Sequence, residues 1–324
     1  MQMQSCPQRK SRVTAEISHS FARKLIDYSG GIAGQEHAWE EQLRGAVAVH
    51  NVVAREGVCY LADEVGMGKT YVALGAIALM RLIKPDLRVL YVVPNENLQD
   101  KWQKEIRNFT ANDWLWKDNR VRSLNGRPAY GVEACTNLID FAHKVIQNPN
   151  RDFLLRMTSF SLPLALQNPE QWLGLRDRLL ECLPWVDTSL FDLRDKDQFK
   201  ANFARAVNEV IPRFDLVLID EAHNLKHGLR EDVAARNRLL AYVLGHPEGR
   251  ADGFGGYGPR FDKLILLSAT PFETDYSELW NQLALFDRGK HYDLLGKGDV
   301  DEKVRREVAG RFLIRRLTTL KIGQ

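Results

Sequence analysis

Lys69 and Thr70 close a short run, Asp63-Glu64-Val65-Gly66-Met67-Gly68-Lys69-Thr70, in which two glycines precede a cation and a hydroxyl. Gly66 and Gly68 free the backbone to turn tightly, so that successive N–H groups face one anion. The apolar run Gly57-Val58-Cys59-Tyr60-Leu61-Ala62 precedes it and the helix-like Tyr71-Val72-Ala73-Leu74 follows. Strand, glycine turn and helix is the context a phosphate-binding loop requires. A helix starting near Lys69 adds its unpaired N–H groups and the positive end of its dipole. Lys69 then offers a point charge to the β and γ phosphates of a nucleotide, and the Thr70 hydroxyl suits a Mg²⁺ ion. The run departs from the usual Walker spelling, because Asp63 stands where the first glycine would be.

Two further groups follow apolar runs. Leu216-Val217-Leu218-Ile219 leads into Asp220-Glu221-Ala222-His223. There Asp220 would hold Mg²⁺, directly or through water, and Glu221 would orient and polarise an attacking water. The plainer alternative is an acidic helix start, which the helix dipole favours anyway. Lys263-Leu264-Ile265-Leu266-Leu267 leads into Ser268-Ala269-Thr270-Pro271, whose hydroxyls could bond the neighbouring carboxylates and report phosphate occupancy. The alternative there is an ordinary turn before Pro271.

The elements that must position these groups alternate in type. Apolar spacing predicts a helix from Thr14 to Tyr28, a break at Gly30-Gly31-Ile32-Ala33-Gly34, and a second helix over His37–Ala54. Strands are expected at Arg88–Val93 and Phe153–Thr158, and a short one at Arg120–Leu124. Leu98, Trp102, Ile106 and Phe109 share one face of a helix over 97–109, so Trp102 reads as core. Prolines at 163, 169, 184 and 212 punctuate helical patterns, which makes 163–212 look like a helical insertion. A helix is expected over Arg230–Leu244, and the glycine-rich stretch 249–259 reads as a mobile surface loop. A final helix runs over Ser277–Phe286, before a basic tail. Strands alternating with helices imply parallel βαβ units, with ligands at the carboxyl ends of the strands.

Composition sets wider bounds. The 324 residues are 44% hydrophobic and 27% charged, with a formal charge of +3, ordinary values for a globular protein. No apolar run approaches the roughly 18 residues that span a membrane, and the first residues lack the apolar core of a secretion signal. Cys6, Cys59, Cys135 and Cys182 are widely separated, as in a reduced, cytoplasmic protein. The whole excess of +3 lies in residues 1–34, read as a solvated basic arm.

The loop, the acidic box and the S-A-T group occur in the order found in superfamily 2 helicases and translocases. In detail the chain resembles the Swi/Snf-type remodelling ATPases and their bacterial relatives. The likeness rests on "LADEVGMGKT", "VLYVVPNENLQDKWQKEIRNF", "LVLIDEAHNLKH", "LLSATPFETDYSELWNQLALF" and "RFLIRRL". It implies that Gln42 reads the adenine, with Gln35 as the competing choice. It also implies that Pro94-Asn95 and Thr158-Ser159 track the phosphates of one nucleic-acid strand. The family works with two lobes, and the second supplies an arginine finger. Arg311, Arg315 and Arg316 lie in the connecting tail, and nothing marks any of them as that finger.

The expected fold is therefore α/β: a RecA-like P-loop three-layer sandwich with a mostly parallel central sheet and a helical insertion. Residues 1–34 form a basic arm and helix, 35–290 the ATP-binding lobe, and 291–324 a connecting tail. The expected function is binding of ATP and Mg²⁺ by one lobe of a DNA-dependent ATPase. Its partners would be double-stranded DNA and a second RecA-like lobe, in the same chain or in another, with no membrane. Two other classes remain open: a non-hydrolysing nucleotide-dependent binding module, and a P-loop ATPase acting on protein partners.

Overall fold

The computed structural model describes residues 16–29, 36–64, 66–115, 132–162, 169–192, 194–229 and 235–315. Along the chain these form α1 (His19–Ala22), α2 (Glu36–Glu56), β1 (Val58–Leu61), α3 (Lys69–Ile83), β2 (Val89–Val93) and α4 (Glu96–Asn108). There follow β3 (Val132–Ala134), α5 (Leu138–Gln147), β4 (Asp152–Arg156), α6 (Pro169–Cys182), α7 (Lys196–Val210) and β5 (Phe214–Ile219). The last elements are α8 (Ala235–Val243), β6 (Phe261–Leu267), α9 (Tyr276–Ala284), α10 (Glu302–Gly310) and β7 (Leu313–Ile314).

The strands make one sheet in the order β3-β4-β2-β5-β6-β1-β7, and every pairing among them is parallel. Because side chains alternate along a strand, each strand feeds both faces. Tyr60, Val92, Val217 and Leu266 enter one core with Phe141 of α5, Phe203 of α7, Leu239 of α8 and Leu283 of α9. Cys59, Tyr91, Leu218 and Ile265 enter the other, with Val49 of α2, Ile77 of α3 and Trp102 of α4. Burial on both faces explains the uninterrupted apolar runs of β2 and of Leu216–Ile219 in β5. The result is the three-layer, RecA-like α/β sandwich that the sequence implied.

The helices of the stretch read as an insertion lie between β4 and β5. Trp172 and Leu179 of α6, and Phe199, Phe203 and Val207 of α7, join the core on one face of the sheet. At the amino ends of the strands, Arg81 pairs with Asp152 and Lys84 with Asp215. Asp152 also accepts Val89 N at 2.9 Å and Asp215 accepts Arg88 N at 2.8 Å, fixing where β2 starts between its neighbours.

Some local expectations change. The helix expected over Thr14–Tyr28 is, within the described residues, the single turn α1. Tertiary bonds claim the backbone instead: Asn51 grips Ile17 N at 2.9 Å and Ile17 O at 3.0 Å, and Ile26 bridges Trp114 antiparallel. The glycine-rich stretch is anchored by α7, whose Arg205 donates to Gly249 O at 2.6 Å and Asn208 to Gly258 O at 3.0 Å. Phe254 is buried within it. From 291 to 315 the tail is structured, because α10 leads into β7, which pairs with β1. The strand expected at Arg120–Leu124 lies outside the described residues, as do Gly30–Gly34 and the start of the helix expected from Arg230.

One buried carboxyl makes the fold sensitive to pH. Asp113 ends the wide helical turn after α4, next to the α1 segment; burial, and after it the charge of Asp27, push it up to about 7. Between its ordinary value and about 7, the folded chain holds a proton that the unfolded chain releases. Stability contributed by this group is therefore present in acid and falls as pH rises through that window. Asp113→Asn should raise the thermal midpoint relative to wild type at pH 8 and leave it nearly unchanged at pH 4. Equal shifts at both pH values would contradict the assignment.

Candidate nucleotide-binding site

β1 ends in Ala62-Asp63-Glu64, and the chain then turns through Gly66 (φ 87°) and Gly68 (φ 72°) into α3. Both glycines sit in the left-handed region, where a side chain is strained. Gly68 is the N-cap of α3 and has no side chain to cap it, and the first turn carries no acidic residue. First-turn N–H groups of a helix entered in this way can serve an anion. Asp63, in the place of the missing glycine, is fully buried. Lys69 Nζ reaches back to the carbonyls of Asp63 (2.8 Å) and Glu64 (3.1 Å), so the ammonium sits over the loop. Thr70 is partly exposed in the first turn of α3, and Met67 N lies 3.4 Å from Glu64 O. Val65 lies outside the described residues.

Gln42, on α2, packs on this turn. A Cβ added at Gly68 would meet the amide of Gln42, which would have to shift, so glycine is required there by φ and favoured by the contact. The competing Gln35 lies outside the described residues.

β5 brings Asp220 to the same edge, and Asp220 N extends the ladder to Val92 O at 2.9 Å. The carboxylate is held on both oxygens: Oδ1 accepts Glu221 N at 2.9 Å and Oδ2 accepts Trp102 Nε1 at 2.8 Å. Burial raises Asp220 above the ordinary carboxylate range, opposed by the Trp102 and Glu221 bonds and by the charge of Lys69. Glu221 adopts φ 51°, a left-handed conformation rare for a residue with a side chain, which costs about 1–3 kcal/mol where the fold enforces it. Its Oε2 lies 3.2 Å from His223 Nδ1, and the same nitrogen lies 3.0 Å from Ser268 Oγ.

β6 supplies Ser268, fully buried, whose backbone N–H donates to Leu61 O at 3.2 Å beside the loop strand. Ser268 Oγ also lies 3.1 Å from Thr270 N and 3.2 Å from Thr270 O, closing the turn that carries Ala269. The acidic box and the S-A-T turn are thus joined through His223. Thr270 itself is exposed.

Farther along the edge, Pro94-Asn95 follow β2, and β4 gives way after Arg156 to a 3₁₀ turn, Met157–Ser161, that carries Thr158 and Ser159. Asn95 is exposed and caps α4 by accepting Leu98 N at 3.1 Å. Thr158 is exposed, whereas Ser159 is buried with its hydroxyl 3.5 Å from Thr136 O. Strand order therefore separates two groups: loop, Ser268 and Asp220 on β1, β6 and β5, and the Asn95 and Thr158 ends on β2 and β4.

Three residues escaped sequence reasoning. Trp102 is core, at 1% exposure, but its indole also binds Asp220. Tyr60 and Gln282 are both fully buried, and Tyr60 OH donates to Gln282 Oε1 at 2.8 Å. Gln282 Nε2 in turn donates to Pro271 O at 2.7 Å, which ties β1 to the turn after β6. The available signal was polar: a tryptophan or tyrosine in a core face needs a partner for its N–H or O–H.

Residues 33–158 match the family model described as "Type III restriction enzyme, res subunit", a helicase-family domain. That match bears out the resemblance to superfamily 2 and to a nucleic-acid-linked ATPase lobe. No curated protein matches the chain. Among solved structures, the Sulfolobus solfataricus SWI2/SNF2 ATPase core domain is similar at 14% identity and TM-score 0.49, over 87% of this chain and 44% of that one. The same core in complex with dsDNA gives 15% identity and TM-score 0.46, over 85% and 43%. The Pyrococcus furiosus Hef helicase domain gives 15% identity and TM-score 0.38, over 81% and 39%. The chain spans less than half the length of each. The fold assignment stands on strand order and on the two cores.

The contact between Gly68 and Gln42 can be tested by a double-mutant cycle. Gly68→Ala should destabilise by roughly 2 kcal/mol, from the left-handed φ and the clash with Gln42. Adding Gln42→Ala should recover part of that loss, measured by denaturant unfolding. Strict additivity of the two changes would contradict the contact.

Proposed function

We propose that the chain is the ATP-binding lobe of a Swi/Snf-like, nucleic-acid-dependent ATPase that couples hydrolysis to movement on double-stranded DNA. The observation that carries this reading is the convergence of the Gly66–Thr70 turn, Asp220, Glu221 and Ser268 on the adjacent strand ends β1, β6 and β5. In this reading residues 35–290 are the lobe, 163–212 its helical insertion, and 291–324 the connection toward a second lobe. The site lies inside an intracellular, DNA-associated protein.

The residues divide the work. The N–H groups of Gly66 to Thr70 cradle the phosphates, and Lys69 turns from its loop carbonyls to offset their charge. Gln42 bonds the adenine edge, for which its amide has both a donor and an acceptor. The donor set suits Mg²⁺: Thr70 and Asp220 are hard oxygen ligands, and Mg²⁺ is usually held by one or two carboxylates together with substrate phosphates. Among the described residues no cluster of three or more His, Cys, Asp or Glu is placed to hold a metal ion. When bound, Mg²⁺ neutralises charge developing on the transferred phosphoryl group. Glu221 accepts a hydrogen bond from the attacking water and aims it. His223 and Ser268 relay the state of that carboxylate to the turn Ser268-Ala269-Thr270.

Pro94, Asn95, Thr158 and Ser159 would hold the phosphates of one DNA strand through backbone N–H groups and hydroxyls. Exposure of Asn95 and Thr158 supports this, whereas Ser159 is buried. A second RecA-like lobe would bring the arginine finger, whose contribution in phosphoryl transfer is about 10³–10⁵ in rate. Among the described residues no helix is long and apolar enough to cross a membrane.

Lys69→Ala should abolish binding of a fluorescent Mg²⁺–ATP analogue and leave the unfolding midpoint almost unchanged, since its ammonium bonds only loop carbonyls. Wild-type affinity in the variant would overturn the assignment. Glu221→Gln, assayed with a second lobe present, should keep nucleotide affinity and lose at least about 10²-fold in DNA-stimulated turnover. Turnover that DNA does not stimulate would favour a P-loop ATPase acting on proteins, and binding without any turnover a nucleotide-gated binding module.

A further inference from the structure

The geometry points to Trp102 as a positioning residue for the metal site: its indole N–H fixes the carboxylate of Asp220 in the orientation that Mg²⁺–nucleotide binding uses. The inference rests on the functional reading above and deepens it.

Trp102 reaches Asp220 from a different element, 118 positions earlier in the chain. The ring is 1% exposed in the core between α4 and the sheet, and it is wedged against Tyr91 of β2, centroids 5.6 Å apart and planes at 50°. Its indole therefore has a single setting. β2 is the direct neighbour of β5, with Tyr91 opposite Leu218, so ring, strand and carboxylate form one rigid unit. The N–H lies 2.8 Å from Oδ2, and the backbone N–H of Glu221 lies 2.9 Å from Oδ1. Two fixed donors on two oxygens define the carboxylate plane, and each oxygen keeps a further lone pair for a metal or its water.

A buried tryptophan N–H commonly finds some acceptor, and packing alone would account for a bond to a backbone carbonyl. The acceptor here is the side chain that the functional reading makes the metal ligand. Partners that orient ligating groups typically contribute about 10–100-fold in metal affinity. The position has a second consequence. Trp102 lies in α4, whose N-cap is Asn95, so one helix joins a proposed DNA contact to the metal carboxylate.

The experiment compares wild type with Trp102→Phe, which keeps an aromatic ring in the core and deletes only the donor. Binding of a fluorescent ATP analogue is measured with EDTA and across a Mg²⁺ titration, with the unfolding midpoint recorded alongside. The expected result is unchanged metal-free affinity together with an increase of about 10-fold or more in the Mg²⁺ concentration at half-saturation. A variant whose two affinities fall together, or whose Mg²⁺ dependence matches wild type, overturns the inference and leaves the functional reading standing. Wild type that binds no nucleotide in either condition overturns the functional reading and this inference with it. Should the variant fail to fold, the indole N–H resonance of wild-type Trp102, assigned through its contacts to Tyr91, decides. It should move on adding Mg²⁺ to the nucleotide-bound chain; a resonance that does not move overturns the inference.

Discussion

Parallel pairing is the constraint on which the rest of this structure depends. When neighbouring strands run the same way, every segment that follows a strand emerges at one edge of the sheet, and every crossover must return over a face. Here that edge receives the Gly66–Thr70 turn from β1, Ser268 from β6, Asp220 from β5, Asn95 from β2 and Thr158 from β4. β1 lies between β6 and β7 in the sheet, and Ser268 N donates to Leu61 O, so the loop leaves from a strand bonded on both sides. The opposite edge carries the ion pairs Arg81–Asp152 and Lys84–Asp215, which set where the strands begin. Register fixed there determines which residues stand at the functional edge.

A parallel sheet places groups to within a strand spacing; the polar contacts among them do the finer positioning. Asp220 is oriented by Trp102 and Glu221, His223 links Glu221 to Ser268, and Tyr60 with Gln282 ties β1 to Pro271. Each of Trp102, Tyr60 and Gln282 is buried, so losing a partner would leave a desolvated polar group, at about 1–3 kcal/mol. These bonds join α4, β1, β5, β6 and α9 around the site. The left-handed conformation of Glu221 belongs to the same arrangement, since backbone strain persists only where surrounding contacts over-determine it.

The strands of the core and the residues that follow them were legible, because burial on both faces writes an apolar run and glycine writes a turn. Their boundaries shift little: the strand expected from Arg88 begins at Val89, and the one expected from Leu216 begins at Phe214. What could not be read depends on contacts distant in sequence. Ile17 lies outside the helix, with its N–H and C=O both bonded by Asn51, a fact absent from the spacing of Ile17, Phe21 and Leu25. The stretch 249–259 is glycine-rich, yet Arg205, Asn208 and Glu209 on one helix hold its backbone. β3 is three half-buried residues with no apolar run to announce it. Trp102 satisfies the helical pattern by its ring alone, and the partner that gives its N–H meaning lies at the end of another strand.

The central claim is that the edge formed by β1, β6 and β5 binds Mg²⁺–ATP. Hydrogen exchange of backbone amides, followed by mass spectrometry with and without Mg²⁺–ATP, tests it most directly. Bound nucleotide should slow exchange in peptides covering residues 63–72, with smaller effects at 219–224 and 266–271. Exchange left unchanged in all three regions, or slowed only at the Arg81 and Lys84 edge, would contradict the account.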